Sequence, residues 1–144
     1  MKERTLLLVE DDPQAVILLR RVFKKRGLDV TVEVASDGAE ALHYLTGPVT
    51  EGQSIHELPA LVLLDLDLPK VHGFEVLRRM RAHPRTETLP VIILTSDREI
   101  DPATGYTLGA NSFMRKPLDF EEFSRTLVAI GLGALAKPAA EKNN

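Results

Sequence analysis

Three short apolar runs stand out along the chain, and each ends abruptly at polar residues. They are Leu6–Val9, Ala60–Leu64 and Val91–Leu94. Continuous apolar runs, as opposed to alternating ones, are typical of parallel strands that are covered on both faces. Val30–Ala35 and Asn111–Arg115 are more mixed in character, as strands at the edge of a sheet can be. The pattern therefore predicts five strands.

Helical patterns lie between these strands. The predicted helices are Pro13–Arg26, a helix over Ala39–Leu45, one that follows Gly73, one that begins at Asp101-Pro102 and one that begins at Asp119. Asp12, Asp37 and Asp119 stand at N-cap positions, where a carboxylate accepts hydrogen bonds from the first turn. Glu40 and Glu122 complete capping-box patterns after Asp37 and Asp119. Strand and helix thus alternate five times, which predicts a doubly wound α/β sandwich.

One predicted connection, Thr46–Pro59, is long and contains glycine and proline. Connections longer than about 12 residues are often functional, and both a functional role and a purely connecting role stay open here.

The length of 144 residues suits a single domain. We expect one domain over residues 1–130, followed by a tail over residues 131–144 that begins as an extra helical turn.

Composition excludes several classes of protein. The chain has 18 basic and 21 acidic residues, a formal net charge of −3 and no cysteine. Disulfide scaffolds and Cys-ligated metal sites are therefore excluded, and the acidic balance gives no reason to expect nucleic-acid binding. No apolar run exceeds five residues, and the charged N-terminus does not fit a signal peptide. We expect a cytoplasmic protein that neither enters a membrane nor binds nucleic acid.

Polar side chains follow four of the five predicted strands. Glu10-Asp11-Asp12 follows the first strand, Asp65 the third, Thr95-Ser96 the fourth and Lys116-Pro117 the fifth. Open α/β sheets bind ligands at the carboxyl ends of their strands. These side chains are therefore expected to meet in one crevice.

The charges in that crevice point to a divalent cation. Glu10, Asp11 and Asp65 bring about −3 together, and like charges a few ångströms apart repel strongly. Mg²⁺ and the Lys116 ammonium would cancel that sum, and Mg²⁺ prefers oxygen ligands such as these. The Thr95 hydroxyl and Lys116 suit phosphate oxygens. An aspartate beside Mg²⁺ can itself attack a phosphoryl group and form an acyl phosphate.

The chain resembles the receiver domain of bacterial two-component response regulators. The resemblance rests on Val9-Glu10-Asp11-Asp12-Pro13, Leu64-Asp65-Leu66-Asp67-Leu68-Pro69 with Gly73, Leu94-Thr95-Ser96 and Lys116-Pro117, and it covers about residues 5–130. It implies a flavodoxin-like fold with a five-stranded parallel sheet in the order 2-1-3-4-5.

The resemblance also implies roles for the acidic residues. Asp65 would be the phosphoacceptor, and Asp11 would bind Mg²⁺ directly. Glu10 would reach the metal through water, and Asp67 would contribute its backbone carbonyl.

Further roles follow for the remaining matched positions. Thr95 would be the switch hydroxyl and Lys116 the phosphate-pairing lysine. Ser96 matches a position kept small for the phosphoryl group, and Pro117 matches a proline commonly held in cis. Phe113 stands where receivers often have tyrosine, so it could swing inward on activation but could not donate a hydrogen bond.

The function implied by the resemblance is signalling and not enzymatic catalysis. A histidine kinase would phosphorylate Asp65. We expect no effector domain after Ile130, so an unidentified downstream protein, a phosphorelay step or a changed dimer would carry the output, and we expect a homodimer. The long connection and the segment from His83-Pro84-Arg85 to Leu89-Pro90 further resemble small stand-alone regulators that pair with bacterial phytochrome kinases.

The basic residues of the first helix would be either a solvated face or a docking surface for the phosphodonor; they are Arg20, Arg21, Lys24, Lys25 and Arg26.

The same aspartates also allow an enzymatic alternative. Asp65-Leu66-Asp67 also resembles the Asp-x-Asp signature of haloacid-dehalogenase-type phosphohydrolases, with Asp65 as nucleophile and Asp67 as general acid. Leu68 stands where that signature has threonine or valine, and no acidic pair follows Lys116. Both departures favour the receiver.

Overall fold

The computed structural model describes residues 2–47, 58–66, 68 and 71–136. Strands and helices alternate along the chain. They are β1 (Lys2–Val9), α1 (Pro13–Lys25), β2 (Thr31–Ala35), α2 (Gly38–Thr46), β3 (Pro59–Asp65), α3 (Gly73–Ala82), β4 (Val91–Thr95), α4 (Pro102–Thr107), β5 (Ser112–Arg115), α5 (Phe120–Ala129) and a 3₁₀ turn at Gly133–Ala136. Most of the predicted long connection and residues 137–144 of the predicted tail lie outside the described residues.

The five strands form one parallel sheet in the order β2-β1-β3-β4-β5. The predicted fold class and strand order are therefore confirmed. Strand β3 occupies the centre and is buried along its whole length, as its continuous apolar sequence predicts. The registers Asp65 to Leu94 and Thr95 to Arg115 bring the carboxyl ends of β3, β4 and β5 to a single edge of the sheet.

Aspartates begin four of the five helices, which explains where the chain turns from strand to helix. The Asp12 carboxylate accepts a hydrogen bond from Gln14 N at 2.9 Å, and the Asp37 carboxylate accepts one from Glu40 N at 2.8 Å. Asp101 and Asp119 cap α4 and α5 in the same way. Helix α3 is the exception, because His72 Nδ1 accepts from Phe74 N at 3.1 Å.

The sheet separates two hydrophobic cores. Helices α1 and α5 cover one face, where Leu19, Phe23, Phe123 and Leu127 are buried against β1, β3 and β4. Helices α2 and α3 cover the other face, and Phe113 of β5 packs on that side. Side chains of successive strand residues point to opposite faces, so each central strand contributes to both cores.

The boundaries differ from the predicted ones where polar residues join an element. Strand β1 begins at Lys2, four residues before the predicted run, because Lys2 and Thr5 pair through the backbone with Pro59 and Thr31. Strands β2 and β5 each begin one residue later than predicted.

The longest helix, α1, has 13 residues. No helix in the described part of the chain has the length and apolar character to cross a membrane.

Phe123 gives a test of the core beneath α5. Its side chain is fully buried and stacks on Phe23 with ring centroids 5.4 Å apart. We expect Phe123→Ala to lower the free energy of unfolding by about 3–5 kcal/mol, since it removes buried surface and leaves a cavity. Urea denaturation followed by circular dichroism measures the change.

Val128→Ala is the matched control, because Val128 lies on the same helix and is 65% exposed. We expect it to change the unfolding free energy by less than about 0.5 kcal/mol. A similar loss in both variants would contradict the assignment of Phe123 to the core.

Candidate functional site

The polar residues that follow the strands meet at one edge of the sheet. Glu10 and Asp11 come directly after β1, and Asp65 is the last residue of β3. One carboxylate oxygen from each of these three residues lies within 4.8 Å of the others. Glu10 and Asp65 are buried, whereas Asp11 is exposed. The predicted convergence of residues far apart in the chain is therefore observed.

Lys116 joins two of these carboxylates. Its Nζ donates to Glu10 Oε1 at 2.5 Å and to Asp65 Oδ2 at 3.0 Å. Each carboxylate residue is only 4% exposed, and the lysine side chain is 26% exposed. Buried carboxylates need such partners, because an unpaired buried charge is strongly destabilising. Lys116 is held in place by its own backbone N–H, which donates to Thr95 O at 2.9 Å.

One ammonium does not neutralise this group of acids. Burial raises the pKa of Glu10, and the neighbouring Asp65 raises it further, against the opposing effect of Lys116. Burial alone would lower the pKa of Lys116, but its hydrogen bonds to Glu10 and Asp65 outweigh this and raise its pKa overall. Burial is thus the main cause of the raised pKa of Glu10, whereas the neighbouring carboxylates cause the raised pKa of Lys116.

The arrangement fits a magnesium ion. Its donors are carboxylate oxygens only, which hard divalent cations prefer, and the exposed Asp11 leaves the site open to water. Glu10, Asp11 and Asp65 are the described residues that could hold the ion. Asp67, predicted to add a backbone carbonyl, lies outside the described residues, so its role stays a prediction.

Thr95 ends β4 and is fully buried. Its Oγ1 accepts a hydrogen bond from Asp97 N at 3.0 Å. Ser96 and Pro117 are exposed beside it, and the Lys116–Pro117 peptide bond is cis. Phe113 is half-buried in the core beneath α3 and α4. Ser96 and Pro117 line a cavity together with Glu10 and Lys116, and the individual roles of Thr95, Ser96, Pro117 and Phe113 remain predictions.

An apolar cavity beside the acids was not predicted. It has a volume of about 510 Å³ and lies between α1 and the segment that follows β5. Leu18, Leu19 and Val22 of α1 form one wall, and Glu10 and Lys116 line its polar end. Leu18 is 59% exposed. Whether these side chains of α1 are covered depends on the path of the chain after β5.

Comparisons with known proteins agree with this geometry. A family model described as "Response regulator receiver domain" matches residues 6–128. The probable methanogenesis regulatory protein FilR2 of Methanothrix harundinacea (strain 6Ac) is 40% identical over 126 residues, which are 87% of this chain and 79% of that protein. Some other curated relatives are longer, and the chain spans 54% of the response regulator Rre1 of Synechocystis sp. (strain ATCC 27184 / PCC 6803 / Kazusa), to which it is 34% identical.

Two solved structures are similar to this chain over most of its length. The bacteriophytochrome response regulator AtBRR has a TM-score of 0.78 and 41% identity, with 90% of this chain and 93% of that chain covered. The bacteriophytochrome response regulator RtBRR has a TM-score of 0.75 and 37% identity, with 89% of this chain and 78% of that chain covered.

The metal site can be tested by removing its exposed carboxylate. We expect Asp11→Asn to weaken Mg²⁺ binding by about tenfold or more, because even residues that only orient metal ligands are worth 10–100-fold in affinity. Isothermal titration calorimetry with MgCl₂ measures the change.

Asp12→Asn is the matched control, since Asp12 is the next residue but its carboxylate caps α1. Asparagine caps helices about as well as aspartate, so this variant should bind Mg²⁺ like the wild type. Equal Mg²⁺ affinity of Asp11→Asn and the wild type would refute the assignment of Asp11.

Proposed function

The chain belongs to the response regulator receiver family, and we propose that it is a cytoplasmic signalling protein whose Asp65 accepts a phosphoryl group from a histidine kinase. The observation that carries this proposal is the contact of one ammonium, Lys116 Nζ, with both Glu10 and Asp65. A lone carboxylate at the end of a buried strand has little structural reason to be there. A carboxylate that a lysine binds beside two further acids is instead explained by a chemical role.

In the proposed reaction, an oxygen of the Asp65 carboxylate attacks the phosphorus of a phosphohistidine. The P–O bond to Asp65 forms as the P–N bond breaks, and the electron pair of the P–N bond stays on the imidazole nitrogen. Lys116 neutralises charge on the phosphoryl oxygens, and Ser96 leaves space for them. When bound by Glu10, Asp11 and Asp65, Mg²⁺ would neutralise charge as in other phosphoryl transfers. A similar protein, 29% identical, was solved as the Mn²⁺-bound form of response regulator Rcp1.

The acyl phosphate would change the protein through Thr95. A phosphoryl group adds negative charge and three strong acceptor oxygens. The Thr95 hydroxyl and the Lys116 ammonium can donate to those oxygens, and both would be drawn toward Asp65. Space vacated by Thr95 would then admit the ring of Phe113. The surface of α4, β5 and α5 would pass this change to a downstream protein or to a second copy in a homodimer.

The kinase would dock on α1. This helix carries Leu18 at the mouth of the apolar cavity, with Ile17 43% exposed beside it. Arg20, Arg21 and Lys24 lie in the next turns of the same helix and favour an acidic partner surface. The similarity to bacteriophytochrome response regulators makes a bacteriophytochrome the proposed kinase.

The haloacid-dehalogenase-like alternative receives no support. That mechanism needs Asp67 as a general acid and an acidic pair after the lysine. The acids that accompany Asp65 are instead Glu10 and Asp11, after the first strand.

The phosphoacceptor has a direct test. With acetyl phosphate and Mg²⁺, we expect the wild-type protein to gain the mass of one phosphoryl group, and Asp65→Asn to gain none, because an amide cannot act as the nucleophile. Intact-protein mass spectrometry measures both, with Asp12→Asn as the labelled control. Repeated turnover of a phosphomonoester such as p-nitrophenyl phosphate would instead favour the hydrolase.

The docking surface can be tested separately from the chemistry. We expect Leu18→Asp to slow phosphotransfer from an autophosphorylated bacteriophytochrome by about tenfold or more, since truncating a central interface anchor commonly costs 2 kcal/mol or more. Labelling by acetyl phosphate should stay within about twofold of the wild type, because acetyl phosphate needs no protein docking.

Tyr106→Asp serves as the control, because Tyr106 is 50% exposed on α4, across the sheet from α1. Phosphotransfer from the kinase to this variant should match the wild type. If Leu18→Asp accepted phosphate from the kinase at the wild-type rate, the kinase would not use this part of α1.

A further inference from the structure

Arg115 connects β5 to the segment that follows Thr95. It is the last residue of β5 and stands immediately before Lys116. Its Nη1 donates to the backbone carbonyl of Asp97, and its Nη2 donates to the carbonyl of Ile100 at 3.0 Å. The same guanidinium lies over the ring of Phe113, with Cζ 5.0 Å from the ring centroid. One side chain therefore joins β5 to both ends of the β4–α4 loop (residues 96–101).

The β4–α4 loop, which Arg115 holds, also forms a hydrogen bond with the buried hydroxyl of Thr95. Asp97 offers its carbonyl to Arg115 and donates its N–H to Thr95 Oγ1 at 3.0 Å. Fixing the carbonyl of Asp97 restricts the backbone that presents this N–H. A displacement of Thr95 toward Asp65 would lengthen the Asp97–Thr95 bond unless the loop moved with it.

The guanidinium also restricts the aromatic ring. Phe113 is half-buried, and the Arg115 guanidinium lies over its ring in a cation–π contact of ordinary length. An inward movement of the ring would separate it from the guanidinium. Of the two residues proposed to move on phosphorylation, Phe113 contacts the Arg115 guanidinium directly, and Thr95 is linked to it through the backbone of Asp97.

We propose that Arg115 is a positioning residue that holds the β4–α4 loop, and through it Thr95 and Phe113, in the arrangement of the unphosphorylated protein. This inference rests on the proposed function and adds a residue that sets how readily the switch responds. Charge-assisted hydrogen bonds are stronger than neutral ones, and a planar guanidinium can serve two carbonyls and an aromatic face at once, which an ammonium cannot.

The test uses beryllofluoride with Mg²⁺ as a stable mimic of the phosphoryl group. Removing a contact that stabilises only the unphosphorylated arrangement lowers the free-energy cost of leaving it. We expect Arg115→Met to bind beryllofluoride about twofold to thirtyfold more tightly than the wild type, the range for residues that influence a site they do not touch. We expect Arg115→Lys to lie between the two.

A second measurement is made on the free protein. In proton–nitrogen correlation NMR spectra, the backbone signals of Thr95 and Asp97 in Arg115→Met should move along the line that leads to their beryllofluoride-bound positions in the wild type. A merely structural role for Arg115 would lower stability without moving these signals along that line. Far-UV circular dichroism and urea denaturation verify that each variant is folded.

Arg98→Met is the matched control. Arg98 lies in the same loop and is exposed, and it makes no hydrogen bond or ion pair with any of the residues described. Its beryllofluoride affinity and its Thr95 and Asp97 signals should match the wild type.

The outcomes separate this inference from the proposed function. A wild-type protein that binds no beryllofluoride and gains no phosphoryl group would overturn the proposed function, and this inference with it. A wild type that responds, with an Arg115→Met variant identical to it in affinity and spectra, would overturn only the role of Arg115.

Discussion

Two buried carboxylates that share one ammonium determine the character of this molecule. Glu10 and Asp65 are both removed from water, and Lys116 is the cation that reaches each of them. Such a group has no reason to exist for stability alone, because well-packed apolar residues of similar volume are often at least as stabilising as a buried ion pair. The excess of negative charge instead creates affinity for cations and gives Asp65 a defined position and environment.

The fold supplies what this group of charges requires. Parallel strands bring their carboxyl ends to one edge, so residues separated by 106 positions in sequence come within hydrogen-bond distance. The buried apolar residues of β1 and β3 then anchor Glu10 and Asp65 at the edge of the core. The fold also positions Lys116 itself. Its backbone N–H donates a hydrogen bond to Thr95 O, so the lysine that binds the two carboxylates is held by the last residue of β4.

Much of this was accessible from the sequence. Continuous apolar runs identified β1, β3 and β4, aspartate caps identified three helix starts, and together they predicted the convergence of Glu10, Asp11 and Asp65. The start of β1 at Lys2 was not predictable, because Lys2 pairs through its backbone, which leaves no trace in side-chain pattern.

The contacts that long side chains make at the surface could not be predicted from the sequence either. Arg115 at the end of a mixed edge strand resembles any solvated edge residue, and only the three-dimensional path of the β4–α4 loop brings the Asp97 and Ile100 carbonyls to its guanidinium. The apolar cavity beside α1 was missed for a related reason. Whether Leu18 is covered depends on where the chain runs after β5, and this is a property of the tertiary structure.

The division of the interior by the sheet has a consequence for how the protein can change over time. Helix α1 packs in one core, while α3 and Phe113 pack in the other, and the central strands are shared as a stiff partition. Substitutions far apart and without shared partners usually have additive effects. The proposed docking surface on α1 and the α4 part of the proposed output surface lie in different layers, so substitutions that retune one can leave the other unchanged, whereas α5 shares its core with α1.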